Sequence, residues 1–176
     1  MSHALHERLF QELPKKGEGG FALRPLAEKM RPRSLKEVFG QEHLLGNQCL
    51  LQKLVRKNSV GNMIFAGPPG SGITSLAHVI AKESGCRLLK INAVTSNVKE
   101  LREALRMARY HTSSECFLFI DEIHRFNKSQ QDAVLPFVED GTIQLIGSTT
   151  ENPSLEVIPS LRSRCQVFRL EYLDTR

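Results

Sequence analysis

The sequence predicts an α/β fold, a five-stranded parallel sheet with helices on both faces. Short apolar runs alternate with longer segments of helical periodicity, the spacing of βαβ units. A glycine-rich segment, Gly67–Ser75, follows the first run directly. A later run, Cys116–Ile120, delivers two acids, Asp121 and Glu122, at its end. Open parallel sheets carry their ligands at the carboxyl ends of the strands, so these two segments mark one edge of the sheet.

Residues 1–24 read as a flexible leader, because the stretch holds Lys15-Lys-Gly-Glu-Gly-Gly20 and only isolated apolar positions. From Pro25 to Arg176 the chain is denser in apolar residues and reads as the folded core. Leu44–Arg56 carries Leu45, Leu50, Leu51, Leu54 and Val55 at helical spacing. Met63–Ala66 reads as a buried strand and Thr74–Glu83 as the helix after it. The next pair is strand Arg87–Ala93 and helix Val98–Tyr110; the third is strand Cys116–Asp121 and helix Ser129–Glu139. Thr142–Ser148 is a fourth strand, Ser154–Leu161 a short helix, and Gln166–Leu170 a fifth strand. No internal repeat or low-complexity tract interrupts the order.

At 176 residues the chain suits one domain with a sizeable core. Its 40% apolar and 24% charged residues are those of a soluble globular protein. The longest apolar runs are too short to cross a bilayer, and Met1–Lys16 holds no signal-peptide core, so a cytoplasmic protein without a membrane partner is expected. Cys49, Cys86, Cys116 and Cys165 form no CxxC pair and read as reduced thiols. The net charge of +5 suits a nucleic-acid partner without demanding one. The excess gathers at Arg24–Lys36 and Arg102–Arg109, clusters that are commonly solvated faces.

Gly67-Pro68-Pro69-Gly70-Ser71-Gly72-Ile73-Thr74-Ser75 matches the phosphate-loop pattern G-x-x-x-x-G-K-[ST] everywhere except the lysine. Glycines let successive backbone N–H groups turn toward an anion, and the helix that follows adds its positive end. Thr74 would hold Mg²⁺ through its hydroxyl. Ile73 departs from the pattern, since isoleucine donates nothing to a polyanion. A charge-assisted hydrogen bond is worth roughly 1.5–3 kcal/mol, so nucleotide affinity is expected to fall about 10- to 150-fold. Loss of a transition-state donor costs a further ~10²–10³ in rate. Residual ATP binding with hydrolysis disabled is the expectation.

Beside such a loop, Asp121 suits ordering the metal's waters and Glu122 polarising the attacking water. The fourth strand ends in Thr149-Thr150, where a polar side chain can sense the terminal phosphate. Thr150 takes that role here, with Thr149 and Asn152 as rivals. Arg164 precedes the last strand and suits a finger aimed at a neighbouring subunit's nucleotide. Arg162 reads as a surface charge.

Several segments together resemble the RarA/MgsA recombination-factor family of AAA+ ATPases and its eukaryotic Werner-helicase-interacting relatives. These are PLAEKMRP at 25–32, GQEHLLG at 40–46 and INAVTSNVKELR at 91–102. The most specific are FIDEIHRFNKSQQD at 119–132 and GSTTENPS at 147–154. The resemblance covers about residues 25–173. It implies a DNA-dependent ATPase acting at stalled or gapped replication forks, in recombination and repair. That ATPase would work as a homo-oligomer, with single-strand DNA-binding protein as a partner and fork or single-strand/double-strand junctions as its DNA. Its location would be the nucleoid, or the nucleus in a eukaryote. The resemblance also implies that Arg31, Pro32, Val38, Phe39 and Gly40 flank the adenine. It gives phosphate binding to Gly67–Ser75, metal to Thr74 and Asp121, water activation to Glu122, sensing to Thr150 and the finger in trans to Arg164. Family members continue into a helical lid and an oligomerisation region, both expected to lie beyond this sequence. Three readings stay open: an ATPase of DNA metabolism, a non-hydrolysing subunit that lends Arg164 to an active neighbour, and a remnant without function. For DNA contact the residues offer the basic clusters and the polar loop His124–Lys128.

Overall fold

The computed structural model describes residues 30–110 and 116–173. The expected leader, and with it Arg24–Lys29 of the first basic cluster, lies outside them. The strands are β1 (Met63–Ala66), β2 (Arg87–Asn92), β3 (Cys116–Asp121), β4 (Gln144–Thr149) and β5 (Gln166–Arg169). The helices are α1 (Glu42–Leu45), α2 (Leu50–Arg56), α3 (Ile73–Glu83), α4 (Val98–Tyr110), α5 (Lys128–Glu139), α6 (Pro153–Glu156) and α7 (Pro159–Arg162). Short 3-10 turns lie at Leu35–Glu37 and Ile123–Arg125.

Five consecutive residues of β3, Cys116–Ile120, are buried, so both faces of that strand require cover. The sheet supplies it in the order β2-β3-β4-β1-β5, every neighbouring pair parallel. Strand alternation divides the core in two. Phe117 and Phe119 pack with Met63, Phe65, Ile146 and Phe168 beneath Leu76 and Ile80 of α3 and Leu51 of α2. Leu118 and Ile120 pack on the other face with Leu89, Ile91 and Leu145, beneath Leu101 and Leu105 of α4 and Val134 of α5. Asp121 follows Phe119 in this alternation and so belongs to the α3 face.

α4 shows why the sequence pattern was readable. Leu101, Ala104, Leu105 and Ala108 are buried at i, i+3, i+4 and i+7, while Arg102, Arg106 and Arg109 are exposed. The basic cluster of this helix is thus its outer face, and Arg109 also pairs with Asp140 at 3.1 Å. α5 begins at a capping box: the Asn127 side chain accepts from the Gln130 N–H at 2.9 Å, and the Gln130 side chain accepts from the Asn127 N–H at 3.0 Å.

Several ends shift by one residue, and three departures from expectation are larger. The stripe Leu44–Arg56 is two helices, α1 and α2, because the chain stops at Gly46 and turns, the Cys49 N–H bonding the Gly46 carbonyl at 2.9 Å. Periodicity survives the break because Leu44, Leu51 and Val55 reach the same core. The helix expected at Ser154–Leu161 is also two, α6 and α7. Pro159 lacks an N–H and pushes Ile158 into an extended conformation, with ψ 142°. β4 starts two residues late because the Asp140 carboxylate takes the Thr142 N–H at 2.8 Å.

Candidate functional site

β4 is hydrogen-bonded to β1 on one side and β3 on the other. Its carboxyl end therefore lies between the glycine-rich loop after β1 and the acids after β3. Gly67–Ser75, Asp121, Glu122, Ser148, Thr149 and Thr150 together line one cavity of about 360 Å³. The sequence-predicted loop, acids and strand end are thus brought together.

The loop is held from below. The Gly67 N–H donates to the Thr149 carbonyl at 3.1 Å, and the Leu170 N–H to the Ala66 carbonyl at 2.8 Å. Gly70 and Gly72 take left-handed conformations, φ 81° and 90°, which glycine adopts without a Cβ clash. Gly72 leads straight into α3, whose first-turn N–H groups have no intrahelical acceptor and suit an anion. The buried Ser71 hydroxyl has no hydrogen-bond partner, an orphan that a phosphate oxygen would satisfy. The backbone and Ser71 therefore fit a phosphate chain, and Thr74 with Asp121 fits the oxygen-donor set that Mg²⁺ prefers. The Ile73 side chain contributes no donor: it lines the cavity and packs back against the core under α3.

Ser148, which the sequence reading passed over, joins the two acids. Its hydroxyl donates to Asp121 Oδ1 at 2.7 Å and accepts the Glu122 N–H at 2.9 Å. That contact steadies Glu122 in a left-handed conformation, φ 59° and ψ 48°. The second oxygen of Asp121 lies 3.7 Å from Lys90 Nζ. Glu122 Oε2 lies 3.3 Å from His124 Nε2, and His124 Nδ1 lies 3.0 Å from Thr149 Oγ1. Thr149 is thus engaged and buried, while Thr150 is exposed at the cavity wall. Asn152, the other rival for the sensing role, caps α6 through the Ser154 N–H at 3.0 Å.

Other expected residues stand elsewhere. Arg31, Pro32, Val38, Phe39 and Gly40 do not line this cavity, and Phe39 is 67% exposed. The link between their segment and the loop is Gln41, a residue the sequence reading did not single out. Its Nε2 donates to the Glu171 carbonyl at 2.8 Å and, at a longer 3.4 Å, to the Ser71 carbonyl. Arg164 also stands apart from the cavity: it pairs with Glu139 at 2.6 Å and donates to the Ser160 carbonyl at 2.7 Å. Arg162 donates to the Ser154 carbonyl. Of the polar loop His124–Lys128, His124 turns inward with a 6% exposed side chain and Asn127 is committed to capping, which leaves Arg125 and Lys128 exposed.

Burial, then the charges of Arg31 and Lys90, lower the pKa of His78 on α3 to about 4, so its imidazole is neutral near pH 7. Burial pushes Cys116 up to about 11 and Cys165 up to about 12, and Cys49, Cys116 and Cys165 are in no disulfide. Among the described residues no group of three or more His, Cys, Asp or Glu side chains is placed to hold a metal. Nor, among them, is any helix long and apolar enough to cross a membrane.

A parallel sheet in this strand order, with a glycine-rich loop after β1 and paired acids after β3, defines a P-loop nucleoside-triphosphatase domain of the AAA+ type. The family model described as the Holliday junction DNA helicase RuvB P-loop domain matches residues 30–160. The chain belongs to this P-loop family, and its resemblance to the RarA/MgsA proteins is borne out by curated relatives. It is 50% identical over 153 residues to replication-associated recombination protein A of Haemophilus influenzae, covering 86% of this chain and 34% of that protein. It is 46% identical over 151 residues to the ATPase WRNIP1 of Dictyostelium discoideum, covering 85% of this chain and 17% of that protein. Among solved structures it is similar to the RuvB Holliday junction branch migration motor of Thermotoga maritima, with a TM-score of 0.64 and 33% identity. That match covers 81% of this chain and 48% of the motor. The chain spans about a third of the length of the bacterial recombination protein it matches.

Proposed function

We propose that this chain is the ATP-binding core of a DNA-dependent ATPase of replication-fork maintenance, recombination and repair, with hydrolysis disabled at Ile73. One observation carries the reading. Loop, paired acids and strand end converge on one cavity, and the position that calls for an ammonium holds an apolar side chain. In this reading the loop N–H groups and Ser71 bind phosphates, Thr74 and Asp121 hold Mg²⁺, and Thr150 senses the terminal phosphate. Glu122 would orient the attacking water, with His124 and Ser148 holding it in place. Mg²⁺, when bound, would neutralise phosphate charge. Fork or junction DNA, single-strand DNA-binding protein and a homo-oligomeric assembly are the partners proposed by family membership, and exposed Arg102, Arg106, Arg125 and Lys128 suit DNA phosphates.

The test is binding of a fluorescent ATP analogue with Mg²⁺, paired with DNA-stimulated phosphate release, for the chain and for Ile73→Lys. Tighter binding by about 10- to 150-fold in Ile73→Lys is expected from the added charge-assisted bond. No nucleotide binding by either chain would defeat the reading.

A second reading rests on Arg164, a half-exposed guanidinium away from its own cavity. As a passive subunit the chain would lend Arg164 to an active neighbour. Mixed with a full-length active homologue, the parent chain would then raise turnover and Arg164→Ala would not.

A further inference from the structure

The phosphate loop carries no ammonium, yet one is paired with an acid of the site. Lys90 leaves β2 on the face it shares with Phe119, its register partner on β3, and with Asp121. Its ammonium lies 3.7 Å from Asp121 Oδ2 and 5.7 Å from the centre of the Phe119 ring. The two side chains are 28% and 22% exposed, so the pair is partly withdrawn from water and its attraction exceeds that of a surface pair. Asp121 lines the cavity, and Lys90, which does not line it, is paired with that carboxylate from the neighbouring strand. Its charge also reaches α3, where it helps keep His78 neutral. His78 lies one turn beyond Thr74, on the same side of the helix.

A lysine suits the transfer this geometry implies. The ammonium is a point charge with three rotatable donors on a four-carbon stem, and here it lies over the Phe119 ring. A triphosphate carries more charge than a carboxylate and would compete for it. Ile73 itself offers no positive charge and packs against the core.

We propose that Lys90 is the phosphate-binding cation of this site, held by Asp121 in the structure described and turning to a nucleotide phosphate oxygen on binding, in place of a lysine at position 73. The inference rests on the nucleotide-binding reading above and adds a residue that the phosphate-loop pattern does not contain.

The experiment measures affinity for the fluorescent ATP analogue with Mg²⁺ in four chains: the parent, Lys90→Met, Ile73→Lys and the double variant. Lys90→Met is expected to weaken binding about tenfold in the parent, the lower end of one charge-assisted bond. In the Ile73→Lys background the same change should matter by less than about twofold, since the charge is then supplied from the loop. Lys90→Arg should retain affinity in the parent, and Lys90→Gln serves if the Met variant melts early. An equal effect of Lys90→Met in both backgrounds, or no effect in the parent, would overturn the proposal. So would a parent chain that binds nothing while Ile73→Lys binds. If neither the parent nor Ile73→Lys binds, the nucleotide-site reading fails, and this inference with it.

Discussion

Gly67→Ala tests how tightly the phosphate loop is seated on the sheet. A Cβ built on Gly67 would meet the Leu170 carbonyl oxygen and Leu170 Cβ at 2.9 Å, and the Ser71 hydroxyl at 3.1 Å. None of these is the yielding end of a long side chain. The Leu170 backbone is fixed by its bond to the Ala66 carbonyl, and Gly67 by its bond to Thr149. Relief therefore requires β1 and the segment after β5 to part. Overpacking of this kind costs about 1–3 kcal/mol. For a chain of this size each kcal/mol lowers the melting temperature by about 2–4 °C, so a drop of roughly 2–12 °C is expected. Gly61→Ala is the control: its Cβ would meet nothing within 4 Å. It should be neutral, or stabilising by about 0.4–1 kcal/mol through the unfolded chain. Thermal unfolding of both variants by circular dichroism decides the matter. Equal melting temperatures for Gly67→Ala and the parent would refute the claim that the loop and Leu170 approach too closely for a side chain.

Three further outcomes are expected. Asn127→Ala removes half of the capping box of α5 and should cost about 1 kcal/mol in a urea titration; an unchanged midpoint would mean the cap carries nothing. His78 is neutral in the folded chain down to about pH 4, whereas the unfolded chain takes its proton near pH 6.5. Stability should fall as pH drops through that window, by about 1–2 kcal/mol after allowance for partial exposure, and His78→Leu should flatten the slope. An identical pH dependence in His78→Leu would reject this assignment. Finally, burial raises the thiol pKa of Cys116 and Cys165, so a disulfide reagent at pH 8 should modify half-exposed Cys49 ahead of both. Rapid labelling of Cys165 in the folded chain would show that its burial is not maintained.

The strand-and-helix order was legible because each element carries its own period. Met63–Ala66, Val98–Tyr110 and Cys116–Asp121 have the ends that their apolar patterns imply. Boundaries failed where a local competitor acted: Gly46 ended a helix within a continuing stripe, Pro159 divided another, and the Asp140 side chain captured an N–H that β4 would have used. The convergence of the loop, the acids and Thr150 was also legible, since the carboxyl ends of parallel strands share one edge of the sheet.

By itself, then, the sequence determined the fold class, the phosphate loop with its missing lysine, and the acids opposite it, because these depend on local pattern and short spacing. Tertiary structure alone decided which side chains hold those acids and the segments around the loop. Ser148 reaches Asp121 from 27 residues away, Lys90 approaches it from a neighbouring strand, and Gln41 joins Glu171 across 130 residues. Such contacts follow from strand order and register, which bring distant residues within hydrogen-bond range and leave no local periodicity in the chain.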